Sequence, residues 1–383
     1  MKPSKCFVVA TPDRSVCDNQ ARVLSQSRRL RRYLLGQIQG HPDIPGEETR
    51  MFPPYVIWSK IALRLAGPGC WEWLRSAGYP AFDYWACSQL KPGDNVISSY
   101  GYANRCFRYA RSTGGLTFLD AGNSHPAQFW EIIEAEHKKW GIDRKPMPRH
   151  WNERARKMLE DTDYIFSPSS YVTDSFLRRG WSANRIFYLP YPVDLEVFRP
   201  RVENRGSRVE GRPLRVICTG SVSVRKGFPY LLEAMRIIRG ERDAVLMLTD
   251  VVESSMKEIL LKFSDVPIEW SPALPHELLA ERLRSADVFA LLSLEDGFAR
   301  TVTEALACGL PAVVSRHTGA LDFIRPGLNG EIVPMCDAPA AADAILRCAN
   351  MSADGATPNC RSNLEELSFA RFSERFLAIL DRF

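Results

Sequence analysis

The stretch LRVICTGSVSVRKGFPYLLEAMRIIRG, Leu214–Gly240, decides the fold. LRVICTG is a short apolar run closed by a glycine, which reads as a buried strand. After a loop to Gly227, PYLLEAMRIIRG carries Leu231, Leu232, Met235 and Ile238 at helical spacing, so one face is apolar and needs a sheet to cover it. The alternation continues downstream. AVLMLTD (Ala244–Asp250) is a strand, a helix carries Met256, Ile259, Leu260 and Phe263, and VPIEW (Val266–Trp270) is an edge-like strand. HELLAERLRSA is a helix, DVFALLSL (Asp287–Leu294) a strand, TVTEALACG a helix ending at Gly309, and PAVVS (Pro311–Ser315) a strand. Strands and helices in this order predict an α/β fold with a parallel, doubly wound sheet.

Upstream the pieces are less regular but comparable. Phe7–Ala10, DNVISS (Asp94–Ser99), LTFLD (Leu116–Asp120) and DYIFSPS (Asp163–Ser169), with helical stretches between them, predict a second α/β domain. PRVENRGSRVEGRP, residues 200–213, is charged and lacks apolar period, which marks a linker. The expected division is residues 1–200 and 201–365. In the closing segment, 366–383, Phe369, Phe372, Phe376, Leu377 and Leu380 fall at helical spacing.

At 383 residues, with 45% hydrophobic and 25% charged, the chain is neither a single small module nor disordered. Ten cysteines without any C-x-x-C pair argue against a zinc ribbon, an iron–sulfur site or a secreted disulfide framework, so reduced thiols and a cytoplasmic location are expected. No leader pattern opens the chain. The most apolar stretch, Ile61–Leu74, is interrupted by Arg64, Pro68 and Glu72 and is too short to cross a bilayer.

The net charge of +5 is unevenly spread: residues 1–200 hold 28 Lys and Arg against 20 Asp and Glu, the remainder 22 against 25. The excess is densest where Arg14, Arg22, Arg28, Arg29, Arg31 and Arg32 face only Asp18. Read as a basic helix with Leu24, Leu30, Leu34 and Leu35, Arg22–Arg32 fits either an anionic membrane surface, which would place the protein peripherally on its inner face, or an ordinary solvated face. Nucleic acid is not expected as a partner, because no stacking motif or recognition helix accompanies these arginines.

Two loops carry chemistry. In TGSVSVRKGFPYLLEA (Thr219–Ala234), Arg225 and Lys226 precede Gly227 and a helix N-terminus, a combination suited to a diphosphate or simply a solvated basic turn. In SLEDGFARTVTEALACGLPAVVS (Ser293–Ser315), Asp296 precedes a Gly-Phe turn and Glu304 follows eight positions later. Two such carboxylates can accept from hydroxyls at two ends of one ligand, while the turn offers backbone N–H groups to phosphate. The plainer alternative makes Asp296 a helix cap and Glu304 a solvated helix residue. Downstream, HTGALDFIRPGLNGEIVP (His317–Pro334) reads as a loop plus hairpin. Asp161-Thr162-Asp163 reads as a cap or turn rather than a metal site.

With these segments in order, the chain resembles the family 4 glycosyltransferases of the GT-B fold, two Rossmann-like domains facing each other across a cleft, which transfer a sugar with retention from a nucleotide-diphosphate donor. The likeness rests on Arg225-Lys226-Gly227, the DGFARTVTEALACGLPAVVS run, Gly319–Asp322 and PGLNGEIVP, over about 120 residues, and on PYPVDLEVFRP before the linker. It departs from the family's pattern at Asp296, where a glutamate is usual, at Ser221, where an arginine is common, and after Ala10, where a Gly-rich loop is missing.

The resemblance implies that Arg225 and Lys226, with Ser221 nearby, neutralise the donor diphosphate and that Glu304 binds ribose hydroxyls. It implies that Asp296 holds the transferred sugar beside the N–H groups of Gly297, Phe298 and Ala299, and that His125, in DAGNSHPAQFWEIIEAE (Asp120–Glu136), contacts the sugar near the reacting bond. From the residues alone His125 can instead be a loop histidine that caps the following helix. The implied reaction moves a hexosyl group to a glycan or lipid-linked acceptor in cell-surface polysaccharide synthesis of bacterial type, with no metal and no cofactor beyond the donor itself. A nucleotide-sugar-binding or scaffold protein without turnover is the alternative. The resemblance also implies a final helix crossing back to the first domain.

Overall fold

The structure, a computed structural model, describes residues 6–13, 15–142, 149–200, 211–353 and 360–383. The first domain runs β1 (Phe7–Thr11), α1 (Cys17–Gln26), β2 (Leu30–Leu35), β3 (Thr49–Met51), α2 (Pro53–Ser76), α3 (Tyr79–Ser88) and β4 (Asn95–Ser99). It continues with α4 (Asn104–Ser112), β5 (Thr117–Asp120), α5 (Pro126–Lys139), α6 (Arg149–Glu160), β6 (Tyr164–Ser167), α7 (Ser170–Leu177) and β7 (Ile186–Tyr188). Its seven strands are all parallel, in the order β3-β2-β1-β4-β5-β6-β7.

The second domain runs β8 (Leu214–Thr219), α8 (Phe228–Glu241), β9 (Ala244–Thr249), α9 (Lys257–Lys262), β10 (Ile268–Ser271), α10 (His276–Arg284) and β11 (Val288–Leu291). Then come α11 (Arg300–Ala307), β12 (Ala312–Ser315), β13 (Gly330–Val333), α12 (Ala338–Ala353) and the closing helix α13 (Phe369–Leu380). Six parallel strands are ordered β10-β9-β8-β11-β12-β13. Strands β9, β11 and β12 are buried along their whole length, as helix-covered parallel strands must be.

In each sheet the chain winds one way from the first strand and then the other, so a crevice opens beyond the carboxyl ends of β1 and β4 in one domain and of β8 and β11 in the other. The expectation of two facing parallel α/β domains holds. Helix α13 lies on the first domain: Phe372, Phe376 and Leu380 join the core around Phe7, Val9 and Phe118, each contributing about 1.5–3 kcal/mol by burial. Conversely, Phe129 and Ile133 of α5 sit in the core of the second domain.

Two expectations are corrected. Arg22–Arg32 is not one helix: α1 ends at Gln26, the chain turns through Arg28 (φ 57°), and Leu30–Leu35 is a strand beside β1. Its leucines are buried, and three of its arginines are paired: Arg22 with Asp43 at 2.9 Å, Arg29 with Asp381 at 2.5 Å and Arg31 with Asp94. Among the described residues Arg22–Arg32 therefore forms no continuous basic helical face, and Arg14 lies outside the described residues. His317–Pro334 is not a hairpin, since Gly330–Val333 pairs parallel to β12. Most of the linker, 201–210, also lies outside the described residues. Among the described residues no helix is long and apolar enough to cross a membrane.

Candidate functional site

The loop after β8 turns through Gly220 (φ 103°), passes the half-buried Ser221 and reaches Gly227, which starts α8 at φ 70°. A Cβ on Gly227 would stand 1.8 Å from the carbonyl oxygen of Leu292. The glycine therefore lets this loop lie directly on the strand end of β11. That contact delivers the two cations. The Arg225 Nη1 donates to the Glu295 carbonyl oxygen at 2.8 Å, and the Lys226 ammonium pairs with the Asp296 carboxylate.

Asp296 is 7% exposed. Burial opposes its charge, but Lys226, Arg225 and the Ala299 amide outweigh burial and hold its carboxyl below the usual range. Its Oδ1 accepts from the N–H of Ala299 at 2.9 Å and of Phe298 at 3.4 Å. This corrects the expectation of three open amides. Asp296 itself occupies two of them, and of the three only the Gly297 N–H has no acceptor among the described residues. Ala299, at the head of α11, is held at φ 55°, a conformation costly for a residue with a Cβ.

Glu304 lies on α11 and is 8% exposed. Burial pushes its carboxyl up, against the pull of Arg300 and His276. No protein donor among the described residues hydrogen-bonds that carboxylate, which leaves it able to accept from ligand hydroxyls. The structure thus gathers Arg225, Lys226 and Asp296, while Glu304 has Arg300 and His276 as its neighbours.

His125 follows Ser124, whose N–H reaches Glu295 of the second domain, but its own N–H donates to the Ser175 Oγ at 2.9 Å within the first domain. Its Nδ1 accepts from the Ala127 N–H at 3.2 Å, capping α5, and its ring meets Phe176 edge-on at 5.2 Å. Burial, with Arg179 and Arg156 nearby, lowers its pKa from 6.5 to about 4. A base that is neutral when folded and protonated when unfolded contributes stability that is complete above pH 6.5 and lost as pH falls toward 4. The variant His125→Asn keeps a capping side chain, so its melting temperature should fall less than that of the wild type between pH 6.5 and 4. Parallel melting curves would contradict this placement.

Sequence reasoning missed Glu295. Its side chain is fully buried where the domains meet; its Oε1 accepts from the Ser124 N–H at 2.8 Å and its Oε2 lies 3.8 Å from Arg225. Burial pushes its pKa up, with Arg225 opposing. Around it the seam is made largely of main chain. A Cβ on Gly297 would stand 2.1 Å from the Gly122 carbonyl oxygen, and the Ser169 Oγ donates to the Gly297 carbonyl oxygen at 2.6 Å. Asp322 accepts from the Ser170 N–H at 2.8 Å and from the Tyr188 hydroxyl at 3.1 Å, and Tyr191 meets Phe298 edge-on at 5.3 Å.

Among the described residues no group of three His, Cys, Asp or Glu side chains could hold a metal ion. Asp163 of the D-x-D triplet accepts from the Thr117 N–H at 3.0 Å, and Asp161 pairs with Arg108 at 3.4 Å.

Two parallel-sheet domains with facing crevices define the GT-B architecture. Over 99% of this chain and 98% of the other, the fold superposes on sucrose-phosphate synthase from Thermosynechococcus elongatus with a TM-score of 0.69 at 16% identity. Over 99% of both chains it superposes on the lipopolysaccharide outer core galactosyltransferase WaaB with a TM-score of 0.64 at 16% identity. At that identity the likeness shows the fold alone.

In the second domain, residues 202–360 match the family described as Glycosyl transferases group 1. Curated relatives include MMP alpha-(1->4)-mannosyltransferase of Mycolicibacterium hassiacum, 31% identical over 212 residues, covering 53% of this chain and 49% of that protein. Another is the amylovoran biosynthesis glycosyltransferase AmsK of Erwinia amylovora, 30% identical over 156 residues, 37% of this chain and 38% of that one. The chain spans about half the length of the first of these relatives.

Proposed function

We propose that the protein is a retaining, family 4 glycosyltransferase that moves a hexosyl group from a nucleotide-diphosphate sugar, held in the second domain, to a glycan or lipid-linked acceptor met at the first. Its context is cell-surface polysaccharide synthesis of bacterial type, a reading favoured by the amylovoran relative. The observation that carries it is the convergence of Arg225 and Lys226 on the Asp296 turn at the carboxyl ends of β8 and β11.

A nucleoside diphosphate leaves with negative charge building on its oxygens as the glycosidic C–O bond breaks, so the dominant requirement is fixed positive charge beside it. Lys226 and Arg225 supply that charge, and the open turn at Gly220–Ser221 gives the diphosphate room to approach them. As the diphosphate takes up the Lys226 ammonium, Asp296 keeps the Ala299 N–H and turns its free oxygen to a sugar hydroxyl. Glu304 accepts from the ribose. This chemistry needs no metal, and the cytoplasm is where such donors are made.

A panel of nucleotide sugars tests the reading by thermal shift and by release of nucleoside diphosphate. A donor present at a hundred times its dissociation constant should stabilise the fold by about 2.7 kcal/mol and be turned over when acceptor is added. Stabilisation without diphosphate release under any acceptor would instead make the protein a non-catalytic nucleotide-sugar binder.

A further inference from the structure

Helices α3 and α4 pack against each other, and one buried carboxylate fixes their register. Asp83 of α3 accepts from the N–H groups of Arg105 and Cys106, in the first turn of α4, at 3.0 and 3.3 Å, and it pairs with Arg154 at 3.1 Å. Two thiols meet across this seam. The Cys106 Sγ donates at 3.8 Å to the Asp83 carbonyl oxygen, which in an α-helix faces the N–H of the residue four further on, here Cys87. The Cys87 Sγ donates at 3.7 Å to the carbonyl oxygen of Arg105, the residue before Cys106. Each sulfur therefore lies beside the backbone of the other cysteine, and the two thiols are in hydrogen-bonding contact. Their access differs: Cys106 is fully buried, while Cys87 is partly exposed.

We propose that Cys87 and Cys106 form a redox-modification site, in which hydrogen peroxide oxidises Cys87 and Cys106 then closes a disulfide between α3 and α4. The site stands apart from sugar transfer and uses none of the residues assigned to it. Because the thiols already touch in a register that Asp83 holds, bond formation asks for side-chain rotation rather than a shift of either helix. Cys87 reacts first. The Cys106 thiol that hydrogen-bonds it brings its pKa down to about 7, with Arg105 helping and burial and Asp83 opposing, so about half of it is thiolate at neutral pH. Cys106, pushed up by burial, stays a thiol. Cys336, the other half-buried cysteine among the described residues, sets its sulfur 3.6 Å from the Glu136 carboxylate, and burial raises its pKa, which makes it the poorer nucleophile. In the first step the Cys87 thiolate attacks one peroxide oxygen: an S–O bond forms, the O–O bond breaks, and the leaving hydroxide takes a proton from solvent to become water. In the second the Cys106 sulfur attacks the Cys87 sulfenic acid: an S–S bond forms, the S–O bond breaks, and the hydroxyl leaves with the Cys106 proton as a second water. Two thiols give up two electrons, and one peroxide is reduced to two waters.

The test treats the folded full chain with hydrogen peroxide, quenches it, and reads free thiols and peptide masses after alkylation. The free-thiol count of the wild type should fall by two, with the Cys87 and Cys106 peptides joined and two hydrogens lighter, and dithiothreitol should restore both thiols. Cys106→Ala should stop at the sulfenic acid, captured at Cys87 by dimedone roughly tenfold more than in the wild type. Cys87→Ser should give no linked peptide and leave Cys106 unoxidised. Since position 87 is partly exposed, the melting temperature of Cys87→Ser should stay within about 2 °C of the wild type, which reports that the variant is folded. Oxidation of Cys87 in the wild type without linkage to Cys106 overturns the proposal. So does linkage of Cys87 to any other cysteine, linkage that forms only in the denatured protein, or a Cys87 that peroxide leaves untouched.

Discussion

Replacing Lys226 by methionine should lower kcat/KM by about 10²–10³-fold, the usual loss when one pre-positioned donor to developing negative charge is removed. The same change strips Asp296 of its cation. Side-chain exposures of 14% for Lys226 and 10% for Asp296 make this nearly a buried pair, and breaking such a pair costs about 3–5 kcal/mol because a charge stays behind unpaired. Denaturant melts should show that loss for Lys226→Met. The double variant Lys226→Met with Asp296→Asn removes the stranded charge and should recover most of the stability while recovering no turnover. Wild-type turnover in a folded Lys226→Met protein would remove Lys226 from the reaction.

Gly297→Ala should separate binding from turnover. The added Cβ would meet the Gly122 carbonyl oxygen at 2.1 Å and the Asn123 Cα at 2.7 Å, contacts between main chains that no rotamer change relieves. Overpacking of this kind costs about 1–3 kcal/mol. Because the clash lies between domains rather than within one, the expected outcome is a shift toward a more open pair. The variant should show a larger radius of gyration by small-angle scattering, nucleotide affinity within about threefold of wild type, and turnover reduced at least tenfold. An unchanged radius with unchanged turnover would show that this close seam is not needed for the reaction.

Much of the second domain is legible in its sequence because each strand is a short apolar run closed by Gly or a polar residue; β8, β9, β11 and β12 begin and end within a few residues of their runs. β2 escaped because Arg31 and Arg32 make LRRYLL look amphipathic and helical. What neutralises Arg31 is Asp94, 63 positions away. β13 escaped because GEIV, framed by Pro and Gly, has only two β-branched residues. The gathering of Arg225, Lys226 and Asp296 followed from strand ends that meet at a switch in winding. Glu295 could not be found that way: its meaning depends on Ser124, 171 residues distant. The capping role of His125, by contrast, is local, since a side-chain acceptor two residues before the Ala127 amide is a short-range pattern.

The left-handed Ala299 gives the Asp296 turn a mechanical character. Holding a methyl-bearing residue at φ 55° raises the energy of the turn by on the order of 1–2 kcal/mol, and the bond from its N–H to the Asp296 Oδ1 latches it there. The head of α11 is a sprung catch. In the proposed reaction the latch holds while the other Asp296 oxygen meets the sugar, so the turn stays loaded at the head of the helix that carries Glu304.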